Sequence, residues 1–273
     1  MHGTEIVIEN RQLGFQDQGL LEMIIRGKIA QTALPGQFVF LKAGPTQDPL
    51  LRRPLSIARI DRKLGEIALR YRVSGQGTKL LSQLKEGEEV DILGPLGNGF
   101  SIPEKGKLLL LAGGIGIFPL LSIIEEVQAH KAYKDLELKI FWGGEDKRFL
   151  ESAGLKELRA KNLDCKVSTL DGSLGRQGLL TDLLNDFLTG SDNGALGEVE
   201  AVACGPKGML KAVTEICLAK KIPLQVSLEE RMACGIGACL GCVCTVQEGS
   251  DLARKRVCKE GPVFEAREVV WDV

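Results

Sequence analysis

Hydrophobic and polar positions alternate with two different periods along this chain. Up to about residue 103, short runs at residues 5–9, 20–26, 37–42, 55–60, 67–73 and 89–93 are separated by Gly, Pro or Asp. Runs of that kind at that spacing predict strands, and several in series predict an antiparallel β-barrel. One helix is expected over residues 78–84, with Gly77 and Thr78 at its start and Gly87 beyond its end. Beyond residue 103 the pattern changes. Strand-like runs at 107–111, 136–142, 165–170, 198–204 and 224–228 alternate with helical stretches at 118–130, 149–161, 179–188 and 207–220. Strand–helix alternation predicts a doubly wound parallel sheet. Residues 108–124 carry no charge over seventeen positions, the lower limit for a membrane span. Gly113, Gly114, Gly116 and Pro119 interrupt that run, and a buried strand, a glycine turn and a helix account for it better. There is no internal repeat and no low-complexity stretch.

Cysteine positions add a third unit. Cys234 is followed after four residues by Cys239, after two more by Cys242, and after fifteen more by Cys258. This is the ligand spacing of a plant-type [2Fe–2S] cluster. Gly235, Gly237 and Gly241 between the first three let the backbone turn tightly and approach inorganic sulfide. Zinc is the competing metal, although four-cysteine zinc sites usually come as two short pairs. Cys244 is a surplus thiol. On a strand it shares a face with Cys242, so Cys242 is chosen on the two-residue gap alone. The expected units are residues 1–103, 104–226 and 227–273, the last too small to fold readily without its metal.

Composition narrows the partners. The chain has 273 residues, enough for two domains and an appendage. With 35 Lys+Arg against 36 Asp+Glu, its net charge of −1 gives no reason to expect nucleic acid or a membrane surface. Eight cysteines, four of them in metal-ligand spacing, point to a reducing compartment, the cytoplasm, rather than to a disulfide framework. The first ten residues hold no basic stretch followed by an apolar one, so no secretory signal is expected. Only His2 and His130 are present, which makes histidine-based acid–base or metal chemistry improbable.

Four further stretches carry candidate chemistry. Gly113-Gly114-Ile115-Gly116 follows a buried strand and opens a helix, where free amides and the helix dipole favour a dinucleotide pyrophosphate. A tight strand–helix turn with no ligand explains the same residues. Cys204-Gly205-Pro206 ends another strand, so this turn and the Gly113 turn are expected to face one crevice. On the plainer reading Cys204 is a small buried hydrophobe. In Arg52-Arg53-Pro54-Leu55-Ser56 an arginine can grip a diphosphate and a serine can bond a flavin edge; a basic surface loop is the alternative. Arg70-Tyr71-Arg72 with Gly77-Thr78 sets two cations and an aromatic residue before a helix start, again a place for phosphate.

In this order the pieces resemble the ferredoxin–NADP reductase superfamily, which pairs a flavin-binding barrel with a nicotinamide-binding α/β domain. With the cysteine module at the C-terminus, the resemblance narrows to the electron-transfer subunits of NAD-linked dihydroorotate dehydrogenases. It covers essentially the whole chain and is most specific at residues 53–56, 75–78, 94–100, 113–116 and 234–242. It implies an α/β plus β architecture: an N-terminal flavin-binding barrel, a nucleotide-binding parallel sheet and a small C-terminal [2Fe–2S] domain. It implies FAD on Arg53, Pro54, Leu55, Ser56, Arg70, Tyr71, Arg72, Gly77 and Thr78, and the cluster on Cys234, Cys239, Cys242 and Cys258. NAD is placed against Gly113, Gly114, Gly116, Cys204, Gly205 and Pro206. Many superfamily members carry an aromatic residue where Leu55 stands, so no ring-stacking residue is assigned.

The implied reaction is oxidation of dihydroorotate to orotate with electrons passed finally to NAD⁺. No dihydroorotate site is evident, so the implied partner is a separate FMN-containing catalytic subunit, in a heterotetramer of two copies of each. No catalytic acid or base is expected in this chain. Two other readings remain: a related subunit of a ferredoxin-, sulfide- or hydrogenase-linked NAD(P)H oxidoreductase, and a zinc-stabilised binding protein on the same scaffold. NAD is expected over NADP, because Glu145 and Asp146 follow the second sheet strand and would repel a 2′-phosphate. Lys147, Arg148 and Arg176 are the cations that would oppose this.

Overall fold

The computed structural model describes residues 1–44, 48–190 and 197–271. Strands β1 (His2–Gln12), β2 (Leu20–Arg26), β3 (Phe38–Leu41), β4 (Arg53–Asp61), β5 (Glu66–Arg72) and β6 (Glu89–Leu96) close an antiparallel barrel in the order β1-β2-β5-β4-β3-β6. Because β1 pairs with both β2 and β6, the barrel has no open edge. Its interior holds Val39, Leu41, Leu55, Ile57, Leu69 and Tyr71. β3 is apolar on both faces for a physical reason. Val39 and Leu41 point into the barrel, while Phe38 and Phe40 join a second core outside it. A short helix α1 (Ile29–Thr32), not expected from the pattern, starts where the buried Glu5 carboxylate accepts from the Ile29 N–H at 3.0 Å. The expected helix near residue 78 is α2 (Gln76–Leu81).

The second unit is built on β7 (Lys105–Gly113), α3 (Ile117–Ala129), β8 (Asp135–Gly144), α4 (Lys147–Ser152), α5 (Leu155–Ala160), β9 (Asp164–Thr169), β10 (Arg176–Gln177), α6 (Leu180–Thr189), β11 (Val199–Cys204), α7 (Lys207–Ala219) and β12 (Leu224–Ser227). The sheet order is β10-β9-β8-β7-β11-β12, all parallel. β7 lies at its centre, with Leu109 and Leu111 in one core and Leu108 and Leu110 in the other. Burial on both faces explains why this strand reads as continuously apolar. The uncharged run 108–124 is therefore strand, turn and helix, and among the described residues no helix is long and apolar enough to cross a membrane.

One expectation needs correction. The single helix over 149–161 is two helices, broken at Gly154, whose φ of +114° lies in the left-handed region. A Cβ there would sit 2.7 Å from Arg70 Nη1, so the break makes room for a guanidinium from the barrel. In the C-terminal unit the hairpin β13 (Val243–Glu248) and β14 (Asp251–Arg256) forms a two-stranded sheet, and β15 (Val263–Glu265) pairs antiparallel with β12 and extends the large one. Phe40, Leu111, Val226, Cys242, Cys258 and Phe264 share one core, which ties the cysteine segment to both other units.

Candidate functional site

The hairpin sets the cysteine geometry. Val243 pairs with Arg256, and the Val257 N–H donates to the Cys242 carbonyl at 2.8 Å. This register places Cys242 beside Cys258, whose N–H reaches Cys242 Sγ at 3.4 Å. The other two thiols meet on the preceding loop, where the Cys239 N–H lies 3.4 Å from Cys234 Sγ. Gly235 and Gly237 turn that loop with φ of +72° and +78°. A Cβ on Gly235 would come within 2.6 Å of the Phe40 ring, so the loop lies directly on the outer face of β3.

Among the described residues no point gathers three or more His, Cys, Asp or Glu side chains, as a single-ion site would. The four thiols form two pairs instead, and a [2Fe–2S] cluster takes two protein ligands on each iron. Burial opposes ionisation of Cys234, but N–H groups of Cys239, Ile236 and Ala238 outweigh it and bring the thiol down to about 6. Burial and then the hydrogen bond with Cys242 push Cys258 up to about 12. A loop that offers amide donors to a thiolate fits the sulfur-ligated cluster. Cys244 lines a different cavity with Val269, Val270 and Trp271, and burial raises its thiol to about 11.

A cleft opens where the three units meet. Pro54, Leu55, Ser56 and Thr78 line it from the barrel, Ile115 from the turn before α3 and Pro119 from the first turn of α3, and Leu228 to Glu230 and Met232 from the approach to the cysteine loop. Arg53 lies across Gly77, where a Cβ would come within 2.1 Å of Arg53 Nε; its Nη1 donates to the Leu51 carbonyl at 2.6 Å. Thr78 Oγ1 accepts from the N–H groups of Ser74 at 3.0 Å and Gly75 at 3.2 Å, closing the loop before α2. Arg72 also lines the cleft; its guanidinium stands over the Phe149 ring at 5.0 Å, its Nη1 donates to Glu145 at 3.5 Å, and its buried Nε has no hydrogen-bond partner among the described residues. An unsatisfied guanidinium donor in a cleft fits an anionic diphosphate.

Arg70 and Tyr71 also line the cleft, with the polar ends of their side chains engaged elsewhere. Arg70 is nearly buried, and its Nε donates to Glu22 at 2.7 Å while Nη2 donates to Glu157 on α5 at 2.6 Å. Strand alternation turns Tyr71 the opposite way, into the barrel core, where its hydroxyl donates to Asn10 at 3.1 Å.

The two glycine turns of the sheet touch each other. β7 and β11 are neighbours, with Ala112 opposite Cys204. A Cβ on Gly116 would meet the Cys204 carbonyl at 2.2 Å, and one on Gly113 would meet Met209 Sδ at 2.4 Å, so both glycines serve the contact between turns. Gly114 is different: its φ is +56°, its missing Cβ faces open space, and its carbonyl accepts from Trp142 Nε1 at 3.0 Å. It gives the helix α3 an open N-terminal approach of the kind a pyrophosphate uses. Burial pushes the Cys204 thiol well above its ordinary value, so it is an uncharged wall at this crevice. At the far edge, Asp146 caps α4 by accepting from the Phe149 N–H at 2.7 Å. Arg148 pairs with Asp17 at 2.9 Å, and Arg176 pairs with Asp186 and donates to the Asp182 carbonyl at 3.0 Å.

Ser227 to Glu230 and Met232 are not among the expected site residues, although they line the cleft. The signal is available, since they follow the carboxyl end of β12, where ligands of open α/β sheets gather. Pro119 is hidden because it reads as an ordinary position of an apolar helix.

Three family descriptions match this chain: an oxidoreductase FAD-binding domain over residues 16–100, an oxidoreductase NAD-binding domain over 110–215, and the iron–sulfur cluster binding domain of dihydroorotate dehydrogenase B over 229–270. The electron transfer subunit of dihydroorotate dehydrogenase B (NAD(+)) from Caldanaerobacter subterraneus subsp. tengcongensis is 40% identical over 269 residues, 97% of each chain. That of Geobacillus kaustophilus is 41% identical over 253 residues, 91% of this chain and 92% of the relative. Among solved structures, an NADH-dependent reduced ferredoxin-NADP oxidoreductase superposes with a TM-score of 0.80 at 27% identity, covering 98% of this chain and 90% of that one. The ferredoxin reductase of carbazole 1,9a-dioxygenase, at 22% identity and a TM-score of 0.67, covers 83% of this chain and 68% of its own and shares the fold.

Proposed function

The chain belongs to the electron-transfer subunits of NAD⁺-dependent dihydroorotate dehydrogenase B, and from that premise we propose how its residues carry electrons from a dihydroorotate-oxidising partner to NAD⁺. It binds FAD, NAD and an iron–sulfur cluster, and it works with a separate catalytic subunit. The observation that carries the residue-level reading is the cleft: one opening is lined by the barrel, the turn before α3 and the approach to the cysteine loop.

In this reading Cys234 and Cys239 hold one iron, and Cys242 and Cys258 the other. Arg53, Pro54, Leu55, Ser56, Arg72, Gly77 and Thr78 hold FAD by side chain or backbone. Arg70 and Tyr71 contribute backbone and the wall behind it, since their side chains are engaged elsewhere. Gly113, Gly114 and Gly116 with Cys204, Gly205 and Pro206 form the nicotinamide crevice. Residues 1–103, 104–226 and 227–273 are the corresponding flavin, nucleotide and cluster units. The chemistry that FAD supplies when bound is the exchange between single electrons and a hydride. The chain's own residues bind, orient and exclude water, and none need act as acid or base.

The partner is proposed to contain FMN and to assemble as two copies of each subunit, in the cytoplasm. Eight cysteines, four of them assigned to the cluster, support a reducing compartment. Purification of the tagged chain tests the reading: it should retain FAD and the iron and sulfide of one [2Fe–2S] cluster, and recover an FMN-containing partner in equal amount. A zinc-loaded, colourless chain, or recovery of a ferredoxin- or hydrogenase-type partner instead, contradicts it.

A further inference from the structure

Arg256 closes β14 two residues before Cys258, and the mechanism above gives it no task. Its guanidinium is held by Glu260, with Nε donating to Oε2 at 2.9 Å and Nη2 donating to Oε1. The same carboxylate accepts from the Arg256 N–H at 2.7 Å, so the pair is fixed at three points. The remaining donor, Nη1, reaches across to the cysteine loop and donates to the Gly237 carbonyl at 2.9 Å. Gly237 lies in the turn between Cys234 and Cys239, with a left-handed φ of +78°. The Cys239 N–H, at the end of the same turn, meets Cys234 Sγ at 3.4 Å, and the Cys258 N–H, two residues beyond Arg256, meets Cys242 Sγ at 3.4 Å. Arg256 also feels the charges of Cys242 and Cys258.

From this arrangement, and resting on the ligand set proposed above, we infer that Arg256 is a positioning residue for the cluster. It holds the Gly237 peptide so that the loop's amides face the thiolates, and its charge, balanced by Glu260, sets the cluster's reduction potential. Hydrogen bonds to sulfur and nearby charge are the protein's means of tuning such a potential. Reduction adds one electron, hence one negative charge, and breaks no bond. The electron comes from the catalytic partner in the complex and from dithionite in the test below. A guanidinium beside the cluster favours the added charge, and a carboxylate opposes it.

The opposed signs give the test. Arg256→Gln removes the cation, frees the Gly237 carbonyl and leaves Glu260 uncompensated, so the potential falls. Glu260→Gln leaves the cation and its bond to Gly237 but removes the anion, so the potential rises. Arg256→Lys keeps the charge without the planar fork and falls less than Arg256→Gln. Mediated redox titration of the purified chain, followed by electron paramagnetic resonance of the reduced cluster, reads all three. Each glutamine variant is expected to change the reduced-to-oxidised ratio at fixed ambient potential by about tenfold, ~59 mV for one electron, in opposite directions. A merely mechanical brace would move both variants the same way, and that result overturns the inference, as do unchanged potentials in cluster-loaded protein. If Arg256→Gln fails to retain iron, the sign of the Glu260→Gln shift decides: a rise supports the inference, and a fall or no change overturns it. Iron and sulfide content separates the two layers. A wild-type chain without a cluster overturns the ligand assignment together with this inference, whereas loaded variants with unmoved potentials overturn this inference alone.

Discussion

Backbone N–H groups meet two of the proposed ligand sulfurs, Cys239 N–H at Cys234 Sγ and Cys258 N–H at Cys242 Sγ, each at 3.4 Å, whereas Cys244 lines a different cavity where burial raises its thiol to about 11. The choice of ligands among the eight rests on that pairing and on the spacing. Serine at Cys234, Cys239, Cys242 or Cys258 should strip iron and sulfide from the purified chain, and serine at Cys165, Cys204, Cys217 or Cys244 should not. Iron retained by Cys242→Ser but lost by Cys244→Ser would reverse the choice between those two. The flavin side has its own residue-level test. Arg53→Ala should weaken FAD binding by roughly 1.5–3 kcal/mol, the range for a hydrogen bond to a charged group. Gly77→Ala should do similar damage while keeping the arginine, because its methyl group would displace the guanidinium, whose Nε lies 2.1 Å from that position. Unchanged flavin affinity in both variants, by fluorescence titration of the apoprotein, contradicts the placement of Arg53.

At the scale of elements, one arginine joins barrel to sheet. Arg70 on β5 meets Glu22 on β2 and Glu157 on α5, and Arg11 on β1 donates to the other oxygen of Glu22 at 2.7 Å. Removing one partner of a buried pair strands the other, so Arg70→Ala should lower stability by about 3–5 kcal/mol. Burial works against the Glu22 carboxylate, but Arg70 and Arg11 hold it below its ordinary value. A carboxyl with a depressed folded pKa stabilises above its unfolded value, about 4.3, and loses that contribution as pH falls through the folded one. The gap in melting temperature between wild type and Arg70→Ala should therefore narrow as pH drops from 7 to below 4, and a gap independent of pH contradicts this. This junction also shows what was legible in the sequence. The six barrel strands and the five long parallel strands could be read because their burial follows period two or continuous apolarity. The break between α4 and α5 could not, since Leu155 and Leu158 keep helical spacing across Gly154 and only the incoming Arg70 explains the turn. Strand alternation around Arg70-Tyr71-Arg72 was visible, but which face looks into the barrel depends on the register with β2 and β4. The proposed cysteine ligands follow from spacing alone, whereas the cleft-lining residues Ser227 to Glu230 and Met232 depend on a strand order that no local pattern encodes.

At the scale of the molecule, three units share cores and converge on one cleft, which is the arrangement a chain of electron carriers needs. The far edge of the sheet bears on which nicotinamide is used. Arg148 and Arg176, two of the three cations able to meet a 2′-phosphate, are engaged by Asp17 and Asp186, the third, Lys147, is exposed, and Glu145 and Asp171 keep the edge acidic. NADH should therefore exceed NADPH in kcat/KM for reduction of an artificial acceptor, and a preference for NADPH would move the chain toward NADPH-linked relatives. The central claim is that this chain connects dihydroorotate oxidation to NAD⁺. The most direct measurement is dihydroorotate-dependent NAD⁺ reduction, followed as NADH absorbance, by an FMN-containing catalytic subunit with and without the FAD- and cluster-loaded chain. The account predicts that NADH forms only when both are present and is lost with a Cys242→Ser chain, while the catalytic subunit alone still reduces a dye. NADH formation without this chain, or none with the fully loaded complex, would contradict it.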